Sequence, residues 1–155
     1  MASASNFVHA TAIAVGERGV LIRGPSGAGK SDLALRCLLH EPTHHLLFKA
    51  TLVADDQVIV EAVGAGVRLS APTQIAGRLE VRGLGILHWS SVDTALLGLV
   101  VDLVARSDEE RLPDPTSTVE IAGYAFPRVK LHPFDASSHL RLLLAAHDLS
   151  RIGAV

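Results

Sequence analysis

The segment Gly24-Pro25-Ser26-Gly27-Ala28-Gly29-Lys30-Ser31 constrains this chain more than any other. It fits the phosphate-loop pattern G-x-x-x-x-G-K-[ST], which works only between a strand and the start of a helix. Both flanks comply. Gly19-Val20-Leu21-Ile22-Arg23 reads as a short apolar strand, and Asp32-Leu33-Ala34-Leu35-Arg36-Cys37-Leu38-Leu39-His40 reads as a helix. The glycines let backbone N–H groups close around a phosphate, and the helix N-terminus adds a favourable dipole. Lys30 can reach the β and γ phosphates of a nucleotide, and the Ser31 hydroxyl can face Mg²⁺. Gly24, Pro25, Ser26, Gly27, Ala28, Gly29, Lys30 and Ser31 are therefore the candidate nucleotide-binding residues.

Composition narrows the rest. With 155 residues and 48% hydrophobic content, a single domain over residues 1–155 with a real core is expected. A formal net charge of −2 gives no support for a nucleic-acid surface held by bulk charge. Cys37 is the only cysteine, which rules out a disulfide within the chain and suits a reducing compartment. There is no apolar run of membrane-spanning length and no signal-peptide pattern. The expectation is a cytoplasmic protein with no nucleic-acid or membrane partner.

Taken in order, residues 1–6 are small and polar and are expected to fray. Val8–Val15 and Val20–Arg23 read as strands across Gly16-Glu17-Arg18-Gly19, and an antiparallel hairpin is one reading of them. That is unusual for a doubly wound nucleotide-binding sheet. It would place His9 on a strand close to the phosphate loop. The helix from Ser31 ends near His40, before Glu41-Pro42-Thr43. His40, His44 and His45 lack the cysteine or acidic companions of a zinc site, and an exposed loop or short helical extension is the expectation. Thr51-Leu52-Val53-Ala54 reads as a strand that ends in Asp55-Asp56. Beside a phosphate loop, such a pair can divide labour: one carboxylate faces a metal while the other takes a proton from an alcohol. Residue type alone does not say which does which.

Further on, Val58–Val63 and Val67–Ala71 read as a small hairpin. In Leu79-Glu80-Val81-Arg82-Gly83-Leu84-Gly85-Ile86-Leu87, a strand would put Glu80 and Arg82 on one face. Leu96–Val104 reads as a core strand, Arg106–Pro115 as a charged loop carrying Arg111, and Thr118–Ile121 and Ala125–Leu131 as late strands. Asp135–His147 reads as an amphipathic helix with Leu140, Leu143 and Leu144 on one side.

Four of these words, in this order, resemble the C-terminal catalytic domain of the HPr kinase/phosphorylase family. They are His9-Ala10-Thr11, the phosphate loop, Leu52-Val53-Ala54-Asp55-Asp56, and Leu79-Glu80-Val81-Arg82-Gly83-Leu84-Gly85-Ile86. The resemblance implies an α/β fold: a P-loop kinase domain of the HPr kinase / phosphoenolpyruvate carboxykinase-like type, with a mixed sheet and flanking helices. It implies use of ATP and Mg²⁺ to phosphorylate a serine on HPr or an HPr-like phosphocarrier. It also implies the catalytic set His9, Lys30, Asp55, Asp56 and Arg111, with Ser31, Asp55 and Glu80 as metal ligands. A homo-oligomer, commonly a hexamer, follows from the same resemblance.

The chain departs from the family pattern in three places. It lacks the long forms' N-terminal domain, so the short, alphaproteobacterial type is expected. Glu41–Ala50 looks inserted between the phosphate loop and the acidic pair. The late arginine- and glycine-rich word linked to dephosphorylation is absent, and Val129-Lys130-Leu131-His132-Pro133 stands in its region, with Arg128 and Lys130 as substitutes. Kinase action exceeding phosphorolysis is therefore expected. The alternatives are a small-molecule kinase or ATPase on the same scaffold, and a non-catalytic nucleotide-responsive module that binds a phosphocarrier.

Overall fold

Strand β1 (Ser5–Val15) is long enough to serve several partners, and the sheet is arranged around it. The computed structural model describes residues 5–154. Residues 1–4 of the expected frayed terminus lie outside the described residues, whereas Ser5 and Asn6 belong to β1, so the strand starts before Val8. One edge of β1 pairs antiparallel with β2 (Arg18–Arg23) through a turn at Gly16 and Glu17, which is the expected hairpin. The other edge is lined by β3 (Ala50–Ala54) and then β4 (Gln57–Val63), both antiparallel to β1. Ala12 faces Ala54 and His9 faces Gln57, so β3 and β4 run as one bent line interrupted at Asp55-Asp56.

Among the described residues the sheet has eight strands, and it curls on itself. Strand β4 pairs with β5 (Gly66–Ser70), β5 with β8 (Thr94–Leu103), and β8 returns in parallel to β2. The inward face of this ring is built from small and medium side chains, with Ala10, Ala12 and Ala14 from β1, Leu21 from β2, Val60 from β4 and Val100 from β8. Alanine at every second position of β1 suits a closed sheet that leaves little room inside. Strand β10 (Tyr124–Leu131) extends the sheet in parallel to β8, and β9 (Thr118–Ile121) forms the antiparallel edge.

The alternate residues, Ile13, Val15, Val20, Ile22, Leu99 and Val101, face the helices. Helix α1 (Lys30–Leu39) buries Leu33, Ala34, Cys37 and Leu38 against them. Helix α2 (Ser138–His147) buries Leu142, Leu143, Ala145 and Ala146. The amphipathic reading of α2 needs one correction. Leu144 is exposed, and the buried side of the helix is formed by Leu142, Leu143, Ala145 and Ala146 instead. The helix also starts at Ser138, after a turn at Asp135.

Residues 41–49 form a loop and not a helical extension. Leu46 enters the core, the Phe48 ring stacks on His147 at 5.2 Å, and the Phe48 N–H donates to His147 Nε2 at 2.9 Å. A second correction concerns the Glu80 word. It is a separate two-stranded hairpin, β6 (Arg78–Val81) and β7 (Gly85–His88). Arg82, Gly83 and Leu84 make its turn, closed by the Leu84 N–H on the Val81 carbonyl at 3.0 Å. Gly83 and Gly85 have φ of 85° and 107°, a region where only glycine is unstrained, so the strand ends before Arg82, which sits in the turn while lining the same cleft as Glu80. Buried Leu79 fastens the hairpin to the core under the helices.

Candidate functional site

Strands β2, β8 and β10 run parallel, and the phosphate loop follows the C-terminal end of β2. A phosphate can bind there through the N–H groups at the start of the helix that follows the loop. The loop turns through Gly27 and Gly29, with φ of 80° and 99°, and α1 begins at Lys30. The Lys30 ammonium lies within the loop and donates to the carbonyls of Gly24 at 2.7 Å and Pro25 at 2.9 Å. Burial is the largest influence on this amine and lowers its pKa; the charges of Asp56 and Asp55 pull the other way without restoring it.

The bend between β3 and β4 sets two adjacent carboxylates in different surroundings. Asp55 is 5% exposed. Its Oδ1 accepts from Ser31 Oγ and from Thr11 Oγ1, each at 2.8 Å, and its Oδ2 accepts from the Glu80 N–H at 3.1 Å. Asp56 has φ of 70°, and the Gln57 N–H donates across it to the Asp55 carbonyl at 2.8 Å. This is a γ-turn with a strained centre, and such strain persists where neighbouring structure enforces it. Here the enforcement is the Ala10 N–H on the Asp56 carbonyl at 3.3 Å, together with the pairing of β1 on both sides of the bend. The turn throws the Asp56 carboxylate outward, 65% exposed, with His9 Nδ1 at 3.4 Å from its Oδ1.

These groups line one cleft of about 440 Å³, a volume typical of small-molecule sites. His9, Lys30, Ser31, Asp56 and Glu80 all line it, with Asp55 buried behind Ser31. Arg111 does not line it; its side chain is exposed on the loop before β9. The two late basic residues are engaged elsewhere. Arg128 Nε is 2.5 Å from Asp102 Oδ2, and Lys130 Nζ is 3.2 Å from Glu110. Asp102 also takes Arg23 Nε at 2.7 Å and Nη2 at 2.8 Å, which ties the root of the phosphate loop to β8. Burial pushes the Asp102 carboxyl up, but the hydrogen bonds and charges of Arg23 and Arg128 together outweigh it and hold its pKa below the usual range.

Two residues at the site escaped sequence reasoning. Thr11 is fully buried and holds Asp55; its signal was the period-two relation to His9 on β1. Phe134 lines the cleft from the segment between β10 and α2, and no local pattern marked it.

A model of the HPr Serine kinase C-terminal domain matches residues 1–147. The chain belongs to that family. An HPr kinase/phosphorylase of Prosthecochloris aestuarii is 31% identical over 147 residues, covering 88% of this chain and 41% of the relative. One from Burkholderia lata is 34% identical over 149 residues, covering 90% of this chain and 44% of the relative. The chain thus spans less than half the length of these relatives. Its fold matches the structure of the HPr(Ser) kinase/phosphatase from Coxiella burnetii with a TM-score of 0.75 at 24% identity, over 94% of this chain and 92% of that one. The expected mixed α/β fold, with a mixed sheet and flanking helices, is therefore present. Among the described residues no helix is long and apolar enough to cross a membrane.

Proposed function

We propose that this chain is an ATP- and Mg²⁺-dependent kinase that phosphorylates a serine of HPr or an HPr-like phosphocarrier. The observation that carries this reading is the split of the acidic pair, with Asp55 bound to the phosphate-loop serine and Asp56 turned out into the cleft beside His9. An exposed carboxylate can meet a hydroxyl on a protein surface, whereas a buried one cannot. The donors around Ser31 Oγ, Asp55 and Glu80 are all oxygens, the set that suits Mg²⁺, and these residues would hold it. When bound, Mg²⁺ neutralises charge on the phosphates of the nucleotide.

The chain's own residues then have distinct parts. The Lys30 ammonium exchanges its two loop carbonyls for phosphate oxygens, and the loop amides and the α1 N-terminus add to the same field. Asp56 accepts the proton as the serine oxygen bonds to the γ phosphorus and ADP departs. His9 orients the Asp56 carboxylate. The late cations support the forward direction over phosphorolysis, because Arg128 and Lys130 are already paired with Asp102 and Glu110.

The test is incubation with the HPr-like carrier of the source organism, ATP and Mg²⁺, following carrier mass, then incubation of the phosphoserine carrier with inorganic phosphate, following pyrophosphate. A gain of one phosphoryl on serine, lost in Asp56→Asn, is expected. The absence of phosphoserine while small hydroxyl acceptors are phosphorylated would move the assignment to a small-molecule kinase. Tight carrier binding without any transfer would make it a binding module. Pyrophosphate release faster than the forward reaction would overturn the assigned direction.

A further inference from the structure

Phe134 combines an exposed side chain with a tightly held backbone. Its side chain is 61% exposed. On either side of it, the Arg36 guanidinium donates to the carbonyl of Pro133 and, at 3.3 Å, to that of Asp135. The Asp135 carboxylate is held by Arg106 at 2.5 Å and Arg141 at 2.9 Å. Ser138 Oγ accepts from the Asp135 N–H at 3.0 Å and donates to the His132 carbonyl at 2.7 Å. The ring meets His132 edge-on at 5.9 Å between centroids, and most of its surface is left in water on a backbone held from several sides, an arrangement preorganised for a ligand.

The ring also has a definite place. A Cβ added to Gly29 would lie 2.8 Å from its Cζ, so the ring covers the last glycine of the phosphate loop, at the root of α1. Leu35, in the second turn of α1, lines the same cleft. A nucleoside triphosphate anchored by its terminal phosphates must lay its base outside the loop. Among the described residues that line the cleft, the aromatic rings are Phe134 and His9, and His9 stands with Asp56 at the acceptor end.

We propose that Phe134 is the platform on which the nucleotide base stacks, with Leu35 as its apolar neighbour. This rests on the nucleotide reading of the cleft. Stacking of a base on an aromatic side chain needs only a free face, and this ring is exposed on a backbone held at both neighbours.

The experiment measures binding of ATP and of inorganic tripolyphosphate, each with Mg²⁺, by calorimetry to the parent chain, Phe134→Ala and Phe134→Tyr. Phe134→Ala is expected to weaken ATP about tenfold and to leave tripolyphosphate unchanged, while Phe134→Tyr keeps ATP at the parental value. Equal losses for ATP and tripolyphosphate would show that the ring only props Gly29, and unchanged ATP binding would show that the base lies elsewhere; either overturns the platform. If the parent binds tripolyphosphate but gains nothing from the nucleoside, the platform fails and the phosphate site stands. If the parent binds neither, the nucleotide reading itself fails, and the platform with it.

Discussion

Thr11→Val tests whether Asp55 is held in place by its hydroxyl neighbours. Thr11 is fully buried, and its Oγ1 shares Asp55 Oδ1 with Ser31 Oγ, both at 2.8 Å. Valine has nearly the same shape, so the change opens no cavity and removes one hydrogen bond to a charged group. Such bonds contribute about 1.5–3 kcal/mol, and at 5% exposure water has little access to replace the lost donor. A loss of about 2 kcal/mol is expected, which lowers Tm by about 4–8 °C for a chain of this size. If the whole of that loss falls on the transition state, phosphotransfer drops about 30-fold. The assay is urea and thermal unfolding, in metal-free buffer, of the parent, T11V, T11S and both changes in an Asp55→Asn background. T11S keeps the hydroxyl and should recover most of the stability. In the Asn background T11V should cost about 1 kcal/mol less than in the parent, the coupling expected of neighbours in direct contact. A T11V variant as stable as the parent, or one equally destabilised with and without the carboxylate, would refute the reasoning.

Four further outcomes can be checked. Lys30→Ala should cut transfer about 100-fold or more while the circular dichroism spectrum stays that of the parent; transfer at the parental rate would remove Lys30 from the chemistry. Asp102→Asn should cost about 2 kcal/mol near neutral pH, since it breaks the bonds to Arg23 and Arg128. The folded Asp102 pKa lies below its unfolded value, so this stability is present above the unfolded pKa and is lost as pH falls through the folded one. The parent and variant unfolding curves should therefore converge in acid, and a pH-independent gap would contradict the pairing. Burial pushes the Cys37 thiol up to about 12, with the nearby Arg36 charge a smaller opposing influence, so a disulfide reagent should label it at pH 8 only after urea unfolding. Sedimentation should give a species heavier than the 16.3 kDa chain, and a clean monomer would refute the expectation of a homo-oligomer.

The phosphate loop, the β1–β2 hairpin and α1 were legible because their signals are local. Glycine spacing, a turn and a helix start all fall within Val15 to Leu39, and the structure uses each as read. The closure of the sheet was not legible. Strand β2 meets β8 in parallel, with Val20 opposite Leu99, and parallel pairing at such separation leaves no turn in the sequence to announce it. The break at Arg82 was hidden because alternation of side chains reads the same through a strand and into a tight turn, until the backbone of Gly83 and Gly85 is known.

The acidic pair shows most clearly where sequence stops. Two identical residue types side by side carry no information about which is buried. That distinction arises from β1, which pairs with β3 up to Ala54 and with β4 from Gln57, leaving two residues to cross the gap. The crossing forces φ of 70° on Asp56, a conformation that Asp tolerates better than most side chains, and so aims the two carboxylates differently. One is driven onto Ser31 and Thr11, the other towards His9 and solvent. The chemical division within the pair is thus a property of strand register. A change that shifts the pairing of β1 with β4 would disturb the site as surely as a change to either aspartate.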